Sequence, residues 1–237
     1  MRSLISRLDR KLAATALVLA GSAALLVIGL ASILVAMNDS GANLPNAGSL
    51  DEIVSDVAEP TQSDGSPAGP PPPLPVRVGI PRLYIDAPVV TLGVDEKRRA
   101  KTPDRPDQVA WYNFSSAPGL TSNAVFSGHV DWQTQTGVPI PGVFYRLREL
   151  EIGDTVTITL ENKKQLQYRV TGNVAASSDN PNISKAMQGT AKDVITLITC
   201  GGSWLIDRSQ EYGGNYSHRV LVRAERVPGS AVSAAGD

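Results

Sequence analysis

Three side chains in this 237-residue chain have the types and settings for covalent chemistry: Cys200, His129 and Arg219. Cys200 is the sole cysteine; it closes the apolar run Val194 to Thr199 and stands directly before Gly201-Gly202. On residue type alone a buried, inert cysteine is the simpler reading. Its position favours a nucleophile, because the last residue of a buried strand, followed by two glycines that admit another backbone, is held in one place. His129, in Phe126-Ser127-Gly128-His129-Val130-Asp131, also ends a short β-prone run. A histidine there can accept and return a proton near neutral pH, which thiol chemistry needs in both of its steps. Arg219 lies in Ser217-His218-Arg219-Val220-Leu221-Val222-Arg223-Ala224. Its guanidinium stays charged and donates in a planar fork, which suits a developing oxyanion.

Strands must position these groups. Short β-rich runs recur between turn signals: Pro75 to Ile80, Ala87 to Leu92, Val109 to Tyr112, Ala124 to Ser127, Thr155 to Leu160, Gln165 to Val170, Val194 to Thr199 and Ser217 to Val227. Gly153-Asp154, Glu161-Asn162 and Thr171-Gly172 punctuate them. About eight strands with two short helical candidates, Tyr145 to Leu150 and Ile183 to Gln188, predict a mainly β domain, a barrel or a sandwich. In the last run Val220, Val222 and Ala224 form the core face, which turns Arg219 and Arg223 to the other one. Arg223 reads as a surface arginine. Alternation also keeps His218 and Arg219 on opposite faces, so only one of them can meet Cys200.

Charge is segmented along the chain. Residues 1–11 carry four basic groups and one acidic, residues 12–37 none, residues 38–75 six acidic groups and no basic, and residues 76–237 eighteen basic against sixteen acidic. At a helical rise of about 1.5 Å per residue, the charge-free stretch Leu12 to Met37 spans the hydrocarbon core of a bilayer with length to spare. It is too long for the apolar region of a cleaved signal peptide. The expectation is a basic cytoplasmic tail (1–11), a transmembrane anchor (12–37) that holds the protein in membrane lipid, and everything after it outside the cell. Residues 38–75, with eight prolines and few large apolar side chains, predict an unstructured extracellular linker, and 76–237 a single catalytic domain. The lone cysteine excludes an intramolecular disulfide and multi-cysteine metal centres. Without a basic stripe, nucleic acid is not an expected partner.

The strings TLITC at 196–200, SGHVD at 127–131 and SHRVLVRAE at 217–225 together resemble the sortase family of Gram-positive surface transpeptidases. In that family a histidine, a cysteine closing a TLxTC motif and an arginine on the following strand occur in this order. The likeness covers about residues 76–227, and GHVD followed by GVFYRLRELEIGD at 142–154 is more similar to classes F and E than to A or B. It implies a closed eight-stranded barrel behind one transmembrane helix, with Cys200 as nucleophile, His129 as general acid and base, and Arg219 as oxyanion stabiliser. The substrates it implies are secreted proteins with an LPxTG-like sorting signal, and the acceptor an amine of a peptidoglycan precursor or a pilin. No metal or other cofactor is implied; calcium is bound by some class A relatives, and no acidic cluster here demands it.

Other classes fit fewer of these features. An L,D-transpeptidase would carry an SxGC-type motif, whereas Cys200 follows Thr199. A papain-like hydrolase places cysteine before histidine in the chain, the reverse of the order here. A non-enzymatic anchored module with an inert cysteine is compatible with composition and leaves the three strings unexplained.

Overall fold

The computed structural model describes residues 44–58, 70–209, 213–229 and 232–233. The expected cytoplasmic tail and membrane anchor lie outside them, and no helix among the described residues is long and apolar enough to cross a membrane. The strands are β1 (Asn46–Ala47), β2 (Pro75–Ile80), β3 (Ile85–Leu92), β4 (Val109–Tyr112), β5 (Ser122–Gly128), β6 (Asp131–Gln133) and β7 (Pro139–Pro141). They continue as β8 (Thr155–Leu160), β9 (Lys164–Ser177), β10 (Asp193–Ile206), β11 (Gly214–Arg226) and β12 (Val232–Ser233). Two short helices, α1 (Leu50–Val54) and α2 (Asn182–Lys185), accompany them.

Eight of these strands close into a barrel in the order β9, β11, β10, β5, β4, β3, β2, β8, with β8 pairing back onto β9. Pairing is antiparallel except for β3 with β4 and β5 with β10. The closure follows from side-chain alternation. In Thr155-Val156-Thr157-Ile158-Thr159-Leu160 the apolar residues are buried and the threonines partly exposed, so one face of the strand lines the core. Val78, Val109, Phe126, Tyr168, Leu197 and Val222 meet inside the barrel. The eight sequence runs all fall within these strands or differ at their ends by a residue or two, except where a strand continues through a bulge. The candidate helix at 145–150 is a single 3-10 turn, Leu147–Glu149.

A second apolar cluster covers part of the outer face of β9, β11, β10, β5 and β4. Val174, Leu221, Ile198, Val125 and Tyr112 come from the sheet, and Ile53 of α1 and Ala186 just after α2 lie over them. The loop after α2 is pinned there by Asn123, whose side-chain amide donates to the carbonyls of Ala186 and Gln188, both at 3.0 Å, while its oxygen accepts from Thr196 Oγ1 at 2.8 Å. Central strands buried on both faces need near-continuous apolar runs, as in Val109-Ala110-Trp111-Tyr112.

Two expectations change. Residues 46–57 are not a structureless part of the linker. Asn46 and Ala47 pair with Val174 and Asn173 of β9, Ser49 caps α1 by accepting from the Glu52 N–H at 3.0 Å, and Val57 bridges to Thr190. Arg223 is no surface residue: it is 3 % exposed, because α1 and the segment after α2 close over the outer face at its level. Its Nη2 donates to the Ile53 carbonyl at 2.9 Å and lies 3.9 Å from Asp56 Oδ1, and burial pushes its guanidinium below the ordinary range. A chain beginning at residue 76 loses the Ile53 anchor and leaves a buried cation without that carbonyl. Thermal unfolding of 76–237 is therefore expected several degrees below that of 44–237, and Ile53→Ala in the longer chain is expected to cost about 2 kcal/mol or more. Equal midpoints would contradict the docking of this segment.

Candidate functional site

Cys200 and Arg219 are direct cross-strand partners of β10 and β11, so their side chains leave the sheet on the same face. That face is the outer one. Thr196 and Ile198 precede Cys200 on it, and Leu221 follows Arg219, while Leu197 and Val220 point into the barrel. Strand β5 runs parallel to β10 with Ser127 level with Ile198. The Thr199 hydroxyl donates to the Gly128 carbonyl at 2.8 Å, which carries the alignment one residue further and sets His129 at the level of Cys200. The structure thus pairs Cys200 with Arg219 and places His129 just beyond the β5 residue aligned with Thr199. His218 pairs with Gly201 and turns away, its Nδ1 within 2.8 Å of Ser217 Oγ.

Close packing fixes the histidine. The backbone N–H groups of Phe144 and Gly142 donate to the carbonyls of His129 and Val130, both at 2.9 Å. A Cβ on Gly142 would stand 2.3 Å from the His129 carbonyl oxygen, so only glycine permits this approach. The His129 Nε2 lies 2.7 Å from the Pro103 carbonyl, which can only accept, so Nε2 carries a proton and Nδ1 is the nitrogen left for exchange. The ring meets the Trp132 indole edge-on, with centroids 4.9 Å apart.

Arg219 is oriented by its own strand. Nη1 donates to the carbonyls of His218 at 2.9 Å and Tyr216 at 3.2 Å, and Nη2 to Asn215 Oδ1 at 2.9 Å. Three of its five N–H donors are engaged in these bonds, which leaves one on Nη2 and the one on Nε along the edge of the fork. Beyond Cys200, Gly202 adopts φ +77°, and a Cβ there would press on Ser217 Oγ at 2.3 Å. The chain can make its bulge between Gly201 and Trp204 only with this freedom.

Cys200 is half-buried. Burial pushes its thiol above the ordinary range, the Arg219 charge pulls it down, and the Asp131 carboxylate pushes it up again. At neutral pH the group rests mainly as the thiol, and attack requires a base to take its proton. Sequence reasoning left several neighbours unassigned. The Tyr112 hydroxyl lies 2.7 Å from Ser127 Oγ and donates to the Lys101 carbonyl at 2.9 Å, and Tyr216 Oη donates to Asp131 Oδ2. Burial raises both phenols, with the Asp131 bond adding to the rise at Tyr216. Asp131 closes the string that carries His129 and Tyr216 directly precedes the one that carries Arg219, but nothing in the sequence pairs residues 85 positions apart.

A thiol and a guanidinium paired on one sheet face, with an imidazole at the end of a neighbouring strand, are groups that can perform acyl transfer through a thioester. The family model described as the sortase domain matches residues 78–227. No curated protein matches the chain. Similar solved structures include sortase C2 of pilus island 1 of Group B Streptococcus, 25% identical over 64% of this chain and 73% of that one, with a TM-score of 0.46. Sortase C-1 from Actinomyces oris shows the same identity, coverages and score. Sortase C1 from Streptococcus agalactiae is 27% identical over 65% of this chain and 67% of that one, with a TM-score of 0.44. The family match spans most of the barrel and all three candidate site residues, and the chain belongs to the sortase family of cysteine transpeptidases.

Proposed function

We propose that the protein cleaves an LPxTG-like sorting signal of secreted proteins and joins the acyl part to a cell-wall amine, with Cys200, His129 and Arg219 as the reacting and stabilising groups. The observation that supports this reading is the register that sets Cys200 opposite Arg219 and aligns the end of β5, one residue before His129, with Thr199. His129 takes the thiol proton and Cys200 Sγ attacks the carbonyl carbon of the threonine. The negative charge gathering on that oxygen meets the free edge of the Arg219 fork. As the Thr–Gly bond breaks, His129 returns the proton to the departing glycine amine, leaving a thioester on Cys200. An incoming amine then attacks the thioester, His129 accepts its proton, and Cys200 leaves as the thiolate and regains that proton. The peptide-bond energy is kept in the thioester, so no ATP is needed.

The acceptor is a peptidoglycan precursor or pilin amine, and the sequence strings around His129 favour class F, with class E second. Residues 12–37 would anchor the chain in the membrane with its N-terminus in the cytoplasm and its catalytic domain outside, across the linker within 38–75.

The two histidines provide the test. With a sorting-signal peptide and an amine acceptor, His129→Ala is expected to lose at least about 10²-fold in kcat/KM, because both proton transfers pass through it. His218→Ala is expected to stay near wild type. The reverse pattern would overturn the assignment of His129.

A further inference from the structure

Two bonds account for two sides of the catalytic triangle. Backbone pairing of Cys200 with Arg219 fixes the first, and the Thr199 hydroxyl on the Gly128 carbonyl aligns Cys200 with His129. The third side, between Arg219 and His129, joins segments that share no strand pairing: β11 is flanked by β9 and β10, and His129 leaves β5 into the β6–β7 hairpin. Arg219 itself is tethered only locally in its named bonds, to Asn215, Tyr216 and His218. Tyr216 is the residue that reaches across. Its carbonyl accepts from Arg219 Nη1, its ring packs edge-on against Trp204 with centroids 5.2 Å apart, and its hydroxyl donates to the carboxylate of Asp131, two residues after His129. Asp131 is in turn seated by pairing with Pro141, beside the glycine that supports His129.

Resting on the catalytic assignment above, we propose that Asp131 and Tyr216 are positioning residues that form a latch, setting the guanidinium of Arg219 against the imidazole of His129. The latch acts through its hydrogen bond. A phenol donating to a carboxylate is a directional, charge-assisted contact, and the same Tyr216 that makes it also presents a carbonyl to Arg219. Losing the bond lets the hairpin that carries Asn215 and Tyr216 shift relative to the His129 segment. Such misplacement is felt in the chemical step more than in ground-state binding. The carboxylate has a second consequence that can be read separately. The charged and titratable groups that act on the Cys200 thiol or feel it are Arg219 and Tyr216 of β11, Asp131 of β6 and Tyr112 of β4, with His129 proposed to join them in the reaction. Burial does most to keep the thiol protonated, and of these groups Asp131 supplies the negative charge that adds to it.

The test compares Tyr216→Phe, Asp131→Ala and Asp131→Asn in the full chain, using a sorting-signal peptide for kcat and KM and iodoacetamide for the pH profile of Cys200 alkylation. Tyr216→Phe and Asp131→Ala are expected to lose about 10- to 10²-fold in kcat with KM changed less than about 2-fold. Asp131→Asn keeps an oxygen that accepts the phenol hydrogen and should recover to within about 3-fold of wild type. The midpoint of alkylation should move to lower pH in both Asp131 variants, since a neighbouring negative charge is gone, and stay in place in Tyr216→Phe. Wild-type kcat in Tyr216→Phe, or equal damage in Asp131→Asn and Asp131→Ala, would overturn the latch, and an unmoved midpoint in the Asp131 variants would overturn the placement of the carboxylate beside the thiol. Alkylation is read on the sulfur itself, so it stands whatever the reaction proves to be; failure of the reaction would show instead as full turnover in Cys200→Ala.

Discussion

Cys200→Ala is expected to abolish cleavage of a sorting-signal peptide, by at least about 10⁴-fold in kcat, while leaving the unfolding midpoint nearly unchanged. The size of the loss follows from composition. No second cysteine exists in the chain to replace the nucleophile, and an alanine methyl group cannot form the thioester. The small structural effect follows from place: the residue is half-buried at the point where β10 begins its bulge, so trading a thiol for a hydrogen opens little cavity. Full turnover in the variant would mean that the thiol is an inert occupant of the strand end. A large drop in the midpoint together with lost activity would mean that Cys200 is needed for folding, and the comparison would then be made with Cys200→Ser.

Arg219→Lys carries the next largest effect. The lysine keeps the cation near Cys200 and loses the fork, so the variant separates charge from geometry. In the structure the guanidinium is already held by three bonds along one side, and its free edge is what remains for an incoming carbonyl oxygen. An ammonium on a flexible stem can reproduce neither the three tethers nor the two parallel donors. A loss of about 10²-fold or more in kcat/KM is expected, comparable to removing one oxyanion donor. Because Arg219 also lowers the thiol pKa by its charge, the alkylation profile of Cys200 should shift little in Arg219→Lys and move to higher pH in Arg219→Ala. Wild-type activity in Arg219→Lys would reduce Arg219 to a source of positive potential and leave the oxyanion to backbone amides.

The barrel was legible in the sequence where burial is local and periodic. Thr155 to Leu160 announces both its strand and its inward face, and Val109 to Tyr112 and Pro75 to Ile80 have the bounds expected of them. Reading failed where a strand survives an irregularity. Thr171-Gly172 looks like a turn, but β9 runs on to Ser177 through a register shift, and it is this continuation that pairs with β1 and with the Arg219 end of β11. Gly201-Gly202 likewise marks a bulge inside β10, not its end. The same alternation that correctly put Arg219 and Arg223 on the outer face could not tell exposed from covered, because the cover is α1, some 170 residues earlier in the chain. Residues 46–57 do carry Leu50, Ile53, Val54 and Val57 at helical spacing, but between Pro45 and Pro60 in an acidic stretch this short set reads as linker; Ile53, its one well-buried side chain, anchors α1 on a surface formed by other strands. The proposed catalytic residues could be nominated for a different reason, that strand ends and their flanking glycines are marked in sequence, whereas the Asp131 to Tyr216 bond depends on three-dimensional placement alone.

The most direct test of the proposed chemistry is intact-mass spectrometry of the full chain after brief incubation with a panel of sorting-signal peptides and no amine acceptor, followed by peptide mapping. The proposed mechanism predicts a mass increase equal to the acyl fragment ending in threonine, carried on Cys200 as a thioester, discharged when an amine is added and absent in Cys200→Ala. Cleaved peptide with no adduct on Cys200, or an adduct that persists in Cys200→Ala, would contradict it.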